Sequence, residues 1–331
     1  MMSRRDRSDL RQAANPVLFF ANGHGDHFLN LPAMRACADI FSGRLTVIGA
    51  DKVIENLLHS LPVRKVVGLK MSRETTGRRF DVDDIARAVE GCDLFISLNP
   101  WHNRHVDDLL AALAPECSIG FFPDFKIAVE RDYQKHSADL AFDIVRAIDP
   151  DLRLDRFAGP PSFPERFVAS ADRLLAMIPA GRQVLTVHPD TLPEKMWPEE
   201  HWVRVIDAFL DLFPEYLTLL VGLSGVEGGR CRHRDRVIPC YGLPIPTTSL
   251  IISRSNLFAG VDSCFLHAAD MYRIPSAGLF GPTEIHEWGF RFSEGRHLKK
   301  GRAMEALHPD EVLSVLVELA AKAKPGPQRV F

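Results

Sequence analysis

The sequence predicts an α/β protein of two sequential halves, each a parallel sheet covered by helices on both faces. Three observations carry this. Short continuous apolar runs recur through the chain, and such runs mark strands buried on both faces. Helix-patterned segments separate them, and strand–helix alternation favours a parallel sheet. Between 150 and 166 the pattern breaks at Asp149-Pro150-Asp151 and Ala158-Gly159-Pro160-Pro161-Ser162, which reads as a crossover. Two Rossmann-like domains follow, over 16–157 and 165–322.

The first strand is Val17 to Ala21, and it ends in the glycine-spaced loop Asn22-Gly23-His24-Gly25-Asp26-His27. A helix pattern follows Pro32, with Ala33, Met34, Ala36, Cys37, Ala38 and Ile40 as its apolar positions. Strand Leu45 to Ile48 and a helix from Lys52 to about Ser60 come next. Strand Val66-Val67, helix 82–90, strand Leu94 to Leu98, helix 105–114, strand Ser118 to Phe122 and helix 135–148 complete the first half. Helix 165–177 opens the second. Its strands are Gln183 to Val187, Leu217 to Val221, 256–261 and 276–280. Glu199 to Trp202 begins a helix. The last helix, 309–322, starts on Pro309, where a missing N–H costs nothing. The N-terminal stretch to Pro16 reads as a solvated tail, and Lys324-Pro325-Gly326-Pro327 as a loose one.

The 331 residues suffice for two cores. Hydrophobic residues make up 46% and charged residues 25%, as in ordinary globular proteins. A formal charge of −3 gives no global field to recruit nucleic acid. No apolar run approaches the roughly 20 residues of a membrane span, and the N-terminus has no apolar core of a signal peptide. Six cysteines stand at 37, 92, 117, 231, 240 and 264, none as a C-x-x-C pair, which fits reduced thiols in a cytoplasmic protein.

The stretch that organises the rest is GVDSCFLHAADMYRIPSAGLFGPT, 260–283. A strand feeds a helix N-terminus through small residues, then a second apolar strand closes at Gly281-Pro282. Free amides and the helix dipole make such a turn an anion site, with phosphate as the obvious guest. In the first half, Asp26 either caps the following helix or stands as a carboxylate at the mouth of the sheet. His24 and His27 flank it, but H-x-D-H on a loop is a weak metal signal, and no metal site is expected. His188-Pro189-Asp190-Thr191-Leu192-Pro193-Glu194-Lys195-Met196-Trp197-Pro198 leaves a strand. Its Lys195 is either solvated or a phosphate cation, and Trp197 either a site residue or a packing anchor. Gly222 to Glu227 forms a further strand-end loop.

These segments resemble the ADP-heptose:lipopolysaccharide heptosyltransferases, glycosyltransferase family 9. Asp262, Ser263, His267, Pro275, Gly281, Pro282 and Thr283 match the family's D-[ST]-G-x-x-H and P-x-x-x-L-F/Y-G-P-T motifs. Gly25, Asp26, Leu29, Pro32 and Ala33 resemble G-D-x-L-x-x-x-P-A, with Leu29 one place after the family's leucine, and Lys195, Trp197 and Pro198 match K-x-W-P. The resemblance runs from about 16 to 322. It implies a GT-B fold, an acceptor-binding first domain and a donor-binding second domain.

It further implies an inverting, metal-independent glycosyltransferase. Asp26 takes the role of general base. His188, Thr191, Lys195, Gly222, Glu227, Asp262, Ser263, Cys264, Phe265 and His267 take that of donor site. Cys264 stands where the family has glycine, and would be strained if that position needs a positive φ. The basic run Arg64, Lys65, Lys70, Arg73, Arg78 and Arg79 is either a solvated face or a seat for an acidic acceptor. Arg64, Lys65 and Arg104 are the acceptor-binding candidates. The implied partners are a nucleoside-diphosphate sugar, with ADP-heptose foremost, and a glycan or small-molecule acceptor. No cofactor is implied, and peripheral contact with an inner membrane is compatible. Two alternatives stay open, a transferase acting on a small natural product and a non-catalytic nucleotide-sugar-binding module. A dinucleotide oxidoreductase is poorly supported, since no G-x-G-x-x-G follows a strand.

Overall fold

The computed structural model describes residues 10–49, 52–70, 72–74 and 77–322, so the C-terminal tail expected at Lys324 to Pro327 lies outside the described residues. The chain divides into two compact units, Met1–Ser162 and Phe163–Phe331.

The first unit runs β1 (Pro16–Phe19), α1 (His24–Phe41), β2 (Thr46–Gly49), α2 (Lys52–Leu57), β3 (Lys65–Gly68), β4 (Ser72–Glu74) and β5 (Gly77–Arg79). It continues with α3 (Val82–Val89), β6 (Leu94–Ser97), α4 (Arg104–Leu113), β7 (Cys117–Gly120), β8 (Ile127–Ala128) and α5 (Ser137–Ile148). Six strands form one sheet in the order β3-β2-β1-β6-β7-β8, parallel throughout. β4 and β5 pair as a separate antiparallel hairpin.

The second unit runs α6 (Glu165–Leu175), β9 (Gln183–His188), α7 (Glu199–Leu212), β10 (Tyr216–Gly222), β11 (Val237–Tyr241), α8 (Ile245–Ser253), β12 (Leu257–Val261) and α9 (Cys264–Met271). It ends with β13 (Ser276–Phe280), α10 (Ile285–Trp288), β14 (Arg296–Lys299) and α11 (Pro309–Lys322). Its sheet, β11-β10-β9-β12-β13-β14, is also all parallel. Counted within each sheet, both orders read 3-2-1-4-5-6. The order reverses beside the first strand. The exits of strands one and four therefore flank a crevice at the carboxyl edge, where ligands of such sheets sit.

The central strands form because every residue of β1, β6, β9 and β12, Gln183 excepted, is buried. Both faces of the second sheet are covered. Trp202, Val205, Phe209, Leu316 and Leu319 pack on it from α7 and α11, and Ala171, Leu175 and Ile251 from α6 and α8. Each large apolar side chain so buried contributes about 1.5–3 kcal/mol.

Two expectations are corrected. The helix expected after Pro32 begins at His24 and carries Pro32 inside it. An interior proline costs about 3 kcal/mol. Phe28, Leu29, Leu31 and Met34, all buried along the same helix, outweigh it. The stretch before Pro16 is not all solvated tail. Leu10 is buried, Arg11 Nη1 lies 3.0 Å from Asp149 Oδ2, and Asn15 N–H donates to Asp93 Oδ1 at 3.0 Å.

Candidate functional site

In the second sheet the exits of β9 and β12 meet. Asp262 follows β12, and its amide donates to Leu279 O at 3.1 Å, which fixes the turn before α9. Its Oδ2 accepts from Lys195 Nζ at 2.7 Å and from Thr283 Oγ1 at 2.8 Å. Thr191 Oγ1 donates to Asp262 O at 3.1 Å. His267 Nε2 stands 3.8 Å from Asp262 Oδ1. Three segments thus converge on one aspartate: the 191–195 loop, the 279–283 strand end and helix α9. The Asp262 side chain is 6% exposed and that of Lys195 20%. A lysine ammonium carries three donors, so Lys195 can serve a second anion without releasing Asp262.

Helix α9 opens beside this cluster. Ser263 is its N-cap in extended backbone, with φ −162° and ψ 176°, and its hydroxyl makes no capping bond. The amides of Cys264, Phe265 and Leu266 lie in the first turn, where no intrahelical carbonyl is available. The expectation of strain at Cys264 is corrected. It is the first residue of α9, and positive φ among the described non-glycine residues occurs at Ser42, Glu90, Ala114 and Arg273. A side chain is admitted without backbone cost. Burial, reinforced by the Asp190 charge, pushes the Cys264 thiol up to about 12, so it stays neutral.

The loop leaving β10 is set by a residue that sequence reasoning did not assign. Asp190 Oδ2 accepts from the amides of Leu223 at 2.9 Å and Ser224 at 3.3 Å. The carboxylate occupies the space beside Gly222. A Cβ on that residue would stand 2.0 Å from Asp190 Oδ1, and its φ of +124° also requires glycine. His188 is buried. Its Nδ1 is 3.0 Å from Val221 O and its ring meets Phe265 edge-on at 4.8 Å. Burial lowers its pKa and keeps it neutral. His188 therefore packs beneath the loops, with Nδ1 also 3.2 Å from Asp190 Oδ1. Glu227 is exposed, and its amide donates to Glu199 Oε1 at 2.9 Å. Trp197 is a packing anchor, 2% exposed, with its indole N–H on Leu307 O at 3.1 Å. Lys299, at the carboxyl end of β14, donates to Thr283 O at 2.8 Å and to Glu284 Oε2 at 3.0 Å. Nothing in the local sequence around Lys299 signalled this, whereas Thr283 stood in the Gly-Pro-Thr closure.

In the first sheet, Asp26 sits in the first turn of α1, not in an open loop. Its Oδ2 accepts from Gly23 N–H at 3.0 Å, so it caps the helix, and the carboxylate is half-buried at the exit of β1. His27 is turned into the core, with Nδ1 2.9 Å from Gly23 O and its ring 4.6 Å from that of Phe20. The β6 exit is tied to the β1 exit. Asn99 Oδ1 accepts from Ala21 N–H at 2.9 Å, and Trp101 Nε1 donates to Asn22 Oδ1 at 3.2 Å.

The basic candidates separate. Arg64 donates to Thr46 Oγ1 at 3.0 Å and Asn15 Oδ1 at 2.8 Å, and Lys65 to Glu90 Oε1 at 3.0 Å. Thr46 and Lys65 are the first residues of β2 and β3. Both cations therefore lie at the amino edge, opposite the exit that carries Asp26. Clustered charge in a sequence does not say which strand end it will occupy. Arg104 begins α4, after β6, and so lies at the same edge as Asp26 with 90% of its side chain exposed.

No protein-family profile and no curated protein matches the sequence. Solved structures do. The family 9 glycosyl transferase from Veillonella parvula superposes with a TM-score of 0.75 at 16% identity, covering 93% of this chain and 97% of that one. The ADP-heptose lipopolysaccharide heptosyltransferase II of E. coli gives 0.70 at 12%, covering 93% and 99%. The E. coli heptosyltransferase WaaC, solved with ADP, gives 0.66 at 14%, covering 92% and 99%. The fold is thus that of the GT-B glycosyltransferases, two parallel six-stranded sheets with covering helices. Among the described residues no helix is long and apolar enough to cross a membrane.

Proposed function

We propose that the chain is an inverting glycosyltransferase. It moves a sugar, heptose in the first instance, from a nucleoside diphosphate to a hydroxyl of a glycan or lipopolysaccharide-type acceptor. The observation that carries this is the Lys195–Asp262–Thr283 cluster beside the open first turn of α9, at the switch point of the second sheet. The donor diphosphate lies against Lys195, the Ser263 hydroxyl and the first amides of α9. A protein of the same fold was solved with ADP, which makes an adenosine diphosphate the first donor to test.

On this reading 165–322 binds the donor and 16–157 the acceptor. Asp26 removes the proton from the acceptor hydroxyl as that oxygen attacks the anomeric carbon. The bond from that carbon to the diphosphate oxygen breaks on the opposite face, so configuration inverts. Negative charge grows on the leaving diphosphate, where fixed donors stabilise it most. Lys195 supplies the countercharge there, so donor binding needs no divalent cation. The protein works in the cytoplasm, with its acceptor at or near an inner membrane.

The test is a thermal-shift and calorimetric screen against ADP-, UDP-, GDP- and dTDP-sugars in EDTA. A ligand of the folded state raises stability by mass action. One diphosphate that binds the wild-type protein, and loses its affinity in Lys195→Ala, supports the donor site. Silence with all four overturns it. Donor binding with no turnover on any glycan would favour a non-catalytic binding module.

A further inference from the structure

Outside the donor cluster, three metal-ligating side chains converge at the carboxyl edge of the first sheet. His102 lies in the loop that leaves β6, Asp107 in the first turn of α4, and Asp124 in the turn that leaves β7. One ligand atom from each lies within 4.8 Å of the others. His102 Nε2 is 2.7 Å from Asp107 Oδ1 and 3.6 Å from Asp124 Oδ2. The ring is held in place. It stacks on Phe122 at 5.3 Å, meets Phe125 edge-on at 5.2 Å, and its side chain is 9% exposed. Phe122 and Phe125 flank Asp124 in one turn, closed by the Phe125 N–H to Phe122 O bond at 3.1 Å. The turn that clamps the imidazole therefore also presents the second carboxylate. Both carboxylates are at least half exposed, which leaves the outer side open to water.

A histidine–aspartate hydrogen bond does not account for this arrangement. Nε2 serves one partner, and Asp107 takes it. Asp124 at 3.6 Å is beyond hydrogen-bond range yet is positioned towards the same nitrogen. Two carboxylates beside one ring repel each other unless a positive charge joins them, and beside a neutral ring that charge has to be a bound cation.

We infer that His102, Asp107 and Asp124 form a binding site for a divalent transition cation, with water completing the coordination. One imidazole and two carboxylates suit manganese, iron or zinc better than calcium. Metal–ligand bonds of about 2.0–2.2 Å place neighbouring donor atoms roughly 3 Å apart, so a small inward movement of Asp124 closes the site. Ligation through Nε2 puts the ring proton on Nδ1, which is buried with no hydrogen-bond partner. That missing support weakens the site and makes the ion exchangeable. The ion would join the β6 loop, α4 and the β7 turn. The same loop carries Trp101, whose indole holds Asn22 at the β1 exit. The cation thus stiffens the surroundings of Asp26, and the inference stands apart from the transferase reading.

The test is titration of the metal-free, full-length protein with MnCl2, followed by calorimetry and by the paramagnetic resonance of the free ion. Wild-type protein should take up a single equivalent. Asp124→Asn should bind about tenfold more weakly or worse, and Asp107→Asn/Asp124→Asn not at all. Both variants replace exposed carboxylates by isosteres, and unchanged circular dichroism of the metal-free forms checks that they fold. Anomalous scattering from a manganese-soaked crystal should peak between the three side chains. No uptake below about 1 mM, or uptake that the double variant retains, would overturn the site. The first result would leave His102 as a hydrogen-bonding group between two acids.

Discussion

The exits of strands one and four are tied together in both sheets, but by different chemistry. In the first unit the ties are neutral, with Asn99 on the Ala21 amide and the Trp101 indole on Asn22. In the second they are charged. Lys195 and Thr283 meet on one oxygen of Asp262, and Asp190 gathers the amides of the neighbouring loop. Strand order is the same in both, so topology does not produce the difference. It locates two crevices, and side-chain chemistry sorts them. The first crevice carries the Asp26 carboxylate beside its amide and indole ties. A crevice that already holds a paired ammonium suits a diphosphate, because the countercharge is in place before the ligand arrives.

The comparison can be broken from either side. The largest effect is expected at Asp26. Asp26→Asn should lower kcat by about 10²–10⁴-fold, the range for a lost general base, with donor affinity unchanged. Calorimetry and turnover on one preparation separate the two, and a variant with normal kcat would reduce Asp26 to a helix cap. Next is Lys195→Ala, which leaves Asp262 buried without its cation. Breaking a buried pair costs about 3–5 kcal/mol, and the partial exposure of Lys195 puts this case near 3 kcal/mol in urea unfolding. Lys195→Met with Asp262→Asn should recover most of that stability and none of the donor affinity. If the double variant bound donor, the charged crevice would be structural only.

Two smaller effects sharpen the same contrast. His188 is held neutral, with its pKa below the ordinary 6.5. The unfolded chain takes up a proton near that value and the folded chain does not. Stability is therefore fully present above about pH 6.5 and is lost as pH falls towards the depressed folded value, by at most about 1.4 kcal/mol per pH unit. Urea midpoints between pH 7.5 and 5 should fall more steeply for wild-type protein than for His188→Gln. Equal slopes would mean that the ring is not as enclosed as the loops around it require. Smallest is Cys264→Gly. Because Cys264 has helical backbone, the glycine should destabilise by roughly 0.3–0.5 kcal/mol in thermal or urea unfolding. A gain in stability would show that the turn wants a positive φ after all.

Much of the architecture was legible because buried parallel strands are written as continuous apolar runs, as in Val17 to Ala21 and Leu217 to Val221. The edge strands of the second sheet were not. β11 contains Pro239 and β14 reads Arg-His-Leu-Lys, and both sit at the rim of the sheet, where a missing donor or a polar side chain is tolerated. Helix α8, Ile-Pro-Thr-Thr-Ser-Leu-Ile-Ile-Ser, is rich in β-branched residues that hide its period. At the site, Asp262 and Lys195 were each visible as residues of interest. Their pairing across 67 positions of chain was not, since no local pattern encodes it. Asp190 was passed over for the same reason, and Arg64 and Lys65 were assigned on charge alone.

The space beside Gly222 has a consequence for engineering. Asp190 fills it, so the β9 and β10 loops interlock like a tongue in a slot. Grafting only the 223–227 loop from a protein of the same fold would import a partner cut for a different slot. Successful exchanges should come as matched pairs of loops, with 188–191 and 222–227 moved together.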